Sequence, residues 1–400
     1  MQAASGWFKH WSAGKTLLAA LVVGAAIALA GVLSDPGLAS SEARAPSGGY
    51  VYVGTAAQTK AARAAALKDA RSIVTPPKGK TIGIIQLSGT SAQSIGVVAA
   101  ARQIAKMFGY SVKVCDPNFD PQKVAQCATS ILAQNPSVIF SVSTNTGAMG
   151  SGFRDAVAKG IPWFSVVSGV VPAKGVRDYG TLGVDLTKII DNYLIKRMRQ
   201  ISQDRPLKLF AIGAPTVGLA SLVEGQQLAR DVKAAGDVTL INHDLDLSNA
   251  VQDTLTTSQQ VLQQNPDLAG MWTLCDFCLP LMAQQVKNAQ GSNRKTVIGG
   301  LYANPQAIDG IREGTIDAVS DHPWQSSVWV AMDQVLQNWT RGKAIANGGV
   351  VYKKYRLPFM KPYLLTKGNV KTSGAVIPVY GPDFQTYFTT KWRKEFQGVK

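Results

Sequence analysis

An α/β fold of two successive rounds, each a parallel sheet covered by helices, is what this sequence predicts. Three observations carry it. Short β-branched runs recur between residues 81 and 323, amphipathic stretches of helical length separate them, and 46% hydrophobic content over 400 residues suffices for two cores. In the first round the strands are TIGIIQL (81–87), SVKVCD (111–116), PSVIFSVS (136–143) and PWFSVVS (162–168), with helices over 92–108, 121–134 and 147–159. GTLGVD (180–185) adds a strand, and a helix over 186–202 follows. The second round has strands at 207–213, 238–244, 270–276, 296–302 and 317–323, with helices at 217–235, 248–264, 278–289 and 304–313. A long helix over 324–342 crosses back, and residues 348–370 read as hairpin and strand. Ahead of all this, 55–74 reads as an alanine-rich helix that TPPKGK (75–80) ends.

The N-terminus has a different character. Lys9 and Lys15 precede an uncharged apolar run over 16–33, and small residues follow it. A basic start, a long apolar stretch and small residues form the pattern of an export signal, with cleavage after Ala30 or Ala39. The run is also long enough to anchor the chain in a bilayer uncleaved. Val32 stands where a lipid-bearing cysteine would be needed, which argues against lipid attachment.

Export makes disulfides favourable, and the four cysteines fall into two local pairs, Cys115 with Cys127 and Cys275 with Cys278. Zinc fits poorly, because His243 and His322 show no ligand spacing with the cysteines and His10 lies in the signal. Cys275-x-x-Cys278 would also suit a redox pair at a helix N-terminus, although the surrounding domain is not of that kind. The formal charge is +16. Such a charge would favour an anionic membrane surface or an acidic partner, but the basic residues are spread along the chain without a nucleic-acid-binding signature, so nucleic acid is not expected and a solvated basic surface is the better reading. No nucleophile accompanies Asp321-His322, so catalysis is not expected, and no cofactor or metal motif is present in the sequence.

In parallel sheets ligands gather at the loops beyond the strand C-termini. SGTSAQS (88–94) and STNTG (143–147) supply hydroxyl and amide donors there, with Thr90, Gln93, Thr144 and Asn145 the favoured contacts. Asp276 is a contact, the N-cap of the next helix, or both. Trp272 and Trp163 read as core.

The stretches IGIIQLSGTSAQSIGVVAAARQIAKMFGY, DPQKVAQCATSILAQNPSVIFSVSTN, DAVAKGIPWFSVVS and YLLTKGNV resemble, in order, the type I periplasmic binding proteins of the sugar (ribose-like) class. The likeness covers about residues 80–371. It implies two doubly wound parallel-sheet lobes joined by a hinge, closing on a small polar solute that is handed to an ABC-type permease and its ATPase. The implied layout is a signal or anchor (1–45), a linker and helix (46–79), an N-terminal lobe (80–182 plus 325–348), a C-terminal lobe (183–324 plus 349–371) and a C-terminal extension (372–400). A monomer in the periplasm or cell envelope is implied, or a receptor anchored through 16–33. A ligand-sensing ectodomain that informs a signalling partner is the alternative.

The resemblance also assigns positions. Gln93 and Ser94 stand where the family stacks aromatics on the sugar, and Val167 and Ser168 where it clamps hydroxyls with an Asp-Arg pair. Ala220 replaces an arginine. Cys275 and Asp276 fall on the later Asn/Asp loop, Tyr302 on another ligand aspartate, and Asp321 on a glutamine. With Trp324 alongside, these residues imply an acidic, aromatic-edged cleft, suited to a sugar-like polyol or to an amine-bearing or aromatic solute.

Overall fold

A computed structural model describes residues 51–144, 146–166, 176–178, 183–204, 206–215, 219–322, 324–346, 358–371, 376–378 and 381–399. In chain order it begins with β1 (Val51–Val53), α1 (Ala56–Asp69), β2 (Thr81–Ile85), α2 (Ala92–Phe108), β3 (Ser111–Cys115) and α3 (Pro121–Ala133). Next come β4 (Val138–Val142), α4 (Gly150–Ala158), β5 (Trp163–Val166), β6 (Val176–Asp178) and α5 (Gly183–Ile201). The second round runs β7 (Leu207–Gly213), α6 (Leu219–Ala235), β8 (Val238–Asp244), α7 (Ala250–Gln264), β9 (Leu268–Thr273) and α8 (Cys278–Gln290). It continues through β10 (Val297–Leu301), α9 (Pro305–Glu313) and β11 (Ala318–Asp321). α10 (Trp324–Arg341), β12 (Tyr363–Thr366), β13 (Val376–Pro378) and α11 (Phe384–Glu395) complete the chain.

Local chemistry sets several of these boundaries. Ser91 caps α2 by accepting from the Ser94 N–H, and Gly109 ends it in the left-handed conformation. Asp120 and Asn304 cap α3 and α9, each followed by a proline at the first helical position. Two expectations shift. Residues 183–185 form the first turn of α5, with Asp185 favoured by the helix dipole, so the strand placed at 180–185 is instead β6, at 176–178. The helix expected over 55–74 stops at Asp69, because Val74 leaves it to bridge Phe396.

The first sheet has the order β3-β2-β4-β5-β6 and is parallel throughout. The second has the order β12-β11-β10-β9-β7-β8, parallel except for β12 against β11. Central strands β4, β9, β10 and β11 are buried along their whole length, while the edge strands β3 and β8 are half exposed. In each sheet the strand order reverses next to the first strand of the round, between β2 and β4 and between β7 and β9. Loops leaving those pairs must diverge to opposite sides, which opens a crevice at the strand C-termini. α5 packs on the second sheet, whereas α10 packs on α2 and β5 of the first.

A third structural unit joins the two ends of the described chain. β1 pairs in parallel with β13, and α1 packs along α11. Phe384, Phe388, Trp392 and Phe396 are buried, and Trp392 stacks on Trp329 of α10 at 5.1 Å between ring centroids. Full burial of such side chains stabilises by about 1.5–3 kcal/mol each.

Candidate functional site

The crevice of the second sheet gathers Asp276, Tyr302 and Asp321 at the ends of β9, β10 and β11. Gly300 brings those strand ends together: a Cβ there would lie 2.1 Å from the Thr273 carbonyl oxygen, so only glycine allows β10 to approach β9 this closely. Tyr302 follows with φ at 69°, strained backbone for a bulky residue, and Ser143 at the end of β4 has φ at 46°. Such conformations are held where the surrounding structure overrides them, characteristically at sites.

Asp321 is fully buried, and among the described residues neither carboxylate oxygen completes a hydrogen bond. The N–H groups of Ala303 and His322 and the Trp324 indole favour its charge, yet burial dominates and holds its pKa well above the ordinary range. Asp276, 7% exposed, is pushed up to about 6 by burial. The two carboxyls also oppose each other's ionisation. Between them the Tyr302 hydroxyl donates to Glu224 of α6. Glu224 is buried, its other oxygen has no partner among the described residues, and burial pushes its pKa up to about 8. The ring of Trp324 lies 4.9 Å from that of Tyr302 and stacks on His322 at 5.0 Å. Both nitrogens of buried His322 lack a partner among the described residues, and burial lowers its pKa to about 3, so it is neutral. The start of α10, at Trp324 and Gln325, rests against Gly96 of α2, so this wall touches the first lobe.

The first lobe contributes the loop after β2. Ser94 is buried and its Oγ accepts from the Leu87 N–H at 3.0 Å, which makes it a loop brace. Gln93 is buried and accepts from Ser91 Oγ at 2.7 Å. Thr90 is exposed and bonds to Ser88. Thr144 is buried, and its hydroxyl has no partner among the described residues. Asn145 and Ser168 lie outside the described residues, as does Val167.

Chemically, these are desolvated acceptors beside aromatic faces. Buried polar groups of this kind cost free energy until something donates to them. Two of the residues were not singled out by sequence as ligand contacts. Glu224 sits in the second turn of α6, where a glutamate reads as an ordinary solvated helix position, and His322 reads in sequence as a candidate zinc ligand or acid–base partner rather than as part of a binding cleft.

Cys115 and Cys127 form a disulfide joining the end of β3 to α3. The pair expected between Cys275 and Cys278 is not closed: both are buried free thiols. The hydrogen bond between the two sulfurs, followed by burial, pushes the Cys275 thiol up, and Cys278 Sγ lies 3.3 Å from Thr254 Oγ1 of α7. A protonated, buried thiol is a poor nucleophile, which removes the support for redox chemistry here. Asp276 is not the cap of α8 either; Phe277 occupies that position without a side-chain bond. Ellman titration of the unfolded, unreduced protein is expected to count two thiols, and a count of zero would show that the second pair closes.

A sequence profile described as the periplasmic binding protein domain matches residues 82–344. Solved structures share the architecture. The Caulobacter myo-inositol binding protein bound to myo-inositol is 17% identical, with a TM-score of 0.63, and the match covers 76% of this chain and 98% of that one. An ABC transporter solute binding protein from Agrobacterium vitis with bound allitol is 15% identical, covers 73% and 97%, and has a TM-score of 0.61. An ABC sugar transporter subunit from Rhodobacter sphaeroides is 16% identical, covers 72% and 99%, and has a TM-score of 0.61. At these identities the likeness is one of fold. No curated protein sequence matches the chain. Among the described residues no cluster of metal-ligating side chains is present, and no helix is long and apolar enough to cross a membrane.

Proposed function

This chain belongs to the periplasmic binding protein domain family, a family of binding proteins rather than enzymes, and we propose that it captures a polyhydroxylated solute, a sugar or polyol, between its two lobes. The observation that supports this reading is the buried cluster of Glu224, Asp276 and Asp321 with unpartnered oxygens on Glu224 and Asp321, beside Tyr302 and Trp324. Each free acceptor matches a ligand hydroxyl donor, and the rings match the apolar C–H faces of a cyclic or extended polyol. The lobes are residues 80–182 with 325–348, and 183–324 with 349–371. Closure brings the hydroxyl-rich loop at 88–94, with Thr90 and Gln93, and the strand end at Thr144 over that floor. The similar proteins described as ABC transporter components support delivery to an ABC-type permease and its ATPase; export of the chain and a monomeric state belong to the same proposal. Sensing for a signalling partner would use the same cleft.

Thermal-shift screening of sugars and polyols tests the site. A bound solute raises the melting temperature of the wild type, since ligand binding only to the folded state adds RT ln(1 + [L]/Kd). Asp321→Ala is expected to weaken binding by at least about tenfold, the value of one buried acceptor to a donor. Equal stabilisation of both proteins removes Asp321 from the site.

The gathering of three carboxyls favours a second reading, an amine-bearing solute. The two readings differ in pH dependence. An ammonium ligand needs ionised carboxylates, so its affinity would climb as pH rises through about 6 and about 8, the values of Asp276 and Glu224. A neutral polyol can bond to either protonation state and would show a much flatter profile.

A further inference from the structure

α1, the segment after it and the end of α11 lie outside the matched family region, which spans 82–344. Their exposed surface is unbalanced in charge. α1 buries only Ala62 and Ala66, on the side facing α11. Lys60, Arg63, Leu67 and Lys68 are exposed. Steps of three, seven and eight residues from Lys60 return to one side of a helix, so these four share a face. Arg71, Ile73 and Lys78 continue the exposed surface, and the bridge between Val74 and Phe396 lays this segment beside exposed Arg393 and Lys394.

These stretches present seven exposed cations, and none of the seven forms an ion pair among the described residues. Their one exposed acid, Asp69, is engaged by the Tyr387 hydroxyl at 2.7 Å, and Glu395 is buried. The same surface carries the two most exposed large hydrophobic side chains of the described residues, Ile73 at 63% and Leu67 at 58%. Packing explains neither the apolar exposure nor the unpaired cations.

We propose that this face docks on anionic phospholipid headgroups. Cations near a negatively charged leaflet each strengthen adsorption, and apolar side chains among them insert at the headgroup boundary. In sequence, residues 34–50 tie the face to the uncharged apolar run at 16–33, which has the length of a bilayer-spanning segment. Weak membrane signals act together where single ones fail.

The test is flotation of the full chain with vesicles of phosphatidylcholine alone or with 30% phosphatidylglycerol, in about 50 and about 500 mM NaCl. The wild type is expected to bind the anionic vesicles in excess of the neutral ones, and high salt is expected to erase the excess. Lys60→Glu/Arg63→Glu/Lys68→Glu is expected to reduce the excess by about tenfold or more. Ile73→Asp acts on the apolar part and is expected to reduce it too. Lys196→Glu/Arg197→Glu/Lys367→Glu makes the same charge change on exposed second-lobe residues and is expected to leave it within about twofold. Absence of a wild-type excess overturns the proposal. Retention of the excess in the α1 variant, or equal loss in the second-lobe variant, overturns it as well, the latter because net charge alone would then suffice. Thermal melts of each variant establish that it is folded.

Discussion

Raising the pH from 6.5 to 8.5 is expected to lower the melting temperature of the ligand-free protein, and Glu224→Gln is expected to flatten that fall. Glu224 has a folded-state pKa of about 8 against an ordinary 4.5, and burial is the main cause. A carboxyl whose pKa is raised by folding binds more protons folded than unfolded. The stability it permits is therefore greatest at low pH, falls as pH rises above the unfolded value while the folded group keeps its proton, and levels off once pH passes the folded value. Asp276, raised to about 6, makes most of its change below this window. Asp321 and Asp191 shift in the same direction, both chiefly through burial. His322, lowered to about 3 from 6.5, has the opposite sign, and its effect is confined to pH below about 6.5. Between 6.5 and 8.5 the carboxyls therefore act unopposed by it. Glu224 alone accounts for about 2 kcal/mol over that range, at about 1.36 kcal/mol per pH unit while the folded carboxyl stays protonated and the unfolded one is ionised. Differential scanning fluorimetry across pH would measure it. An unchanged slope in Glu224→Gln would mean that Glu224 is ionised or solvated in the folded protein.

Glu395→Ala is expected to cost about 3–5 kcal/mol, the penalty for breaking a buried charged network by removing one partner. Glu395 is fully buried in α11. Its oxygens accept from Gln337 Nε2 at 2.6 Å and from the Arg71 backbone N–H at 2.8 Å, and Lys391 Nζ lies 3.5 Å away. Lys391 in turn reaches Asp333 at 2.6 Å, and Asp333 also accepts from Trp392 Nε1 at 2.8 Å. Truncation would strand the Gln337 amide and the Arg71 N–H while leaving a buried ammonium with one carboxylate. Chemical denaturation read by tryptophan fluorescence should show a lower midpoint. Glu395→Gln, which keeps the shape and one acceptor, should fall between that variant and the wild type. If Glu395→Ala unfolds at the wild-type midpoint, the terminal unit melts separately and does not brace α10.

How much of this was legible in advance varies with the range of the interaction. The strands of the two rounds are written as β-branched runs, and a fully buried strand such as VIFSV (138–142) needs no partner to be recognised. The hydroxyl-rich turn at 88–94 and the acid at 276 could be placed at strand ends for the same reason. Glu224 could not, since its role rests on Tyr302, 78 residues away, and on the strained turn that aims the phenol at it. The paired thiols were misread because C-x-x-C spacing brings sulfurs near each other without stating whether they are bonded. The strand expected at 180–185 is misplaced because residues 183–185 open a helix once Asp185 meets its N-terminus.

By itself, then, the sequence determined the α/β class, the alternation that builds two sheets, and the strand ends at which a ligand would gather. These depend on side-chain periodicity and local capping, which act over a few residues. Only the tertiary structure decided that three carboxyls far apart in the chain are each buried and linked through Tyr302 and Trp324, and that β1 meets β13 while α11 locks onto α10. Those outcomes depend on burial and on pairings between segments far apart in the chain. No local pattern encodes them, because the cost of desolvating a carboxyl is set by whatever the rest of the fold places around it.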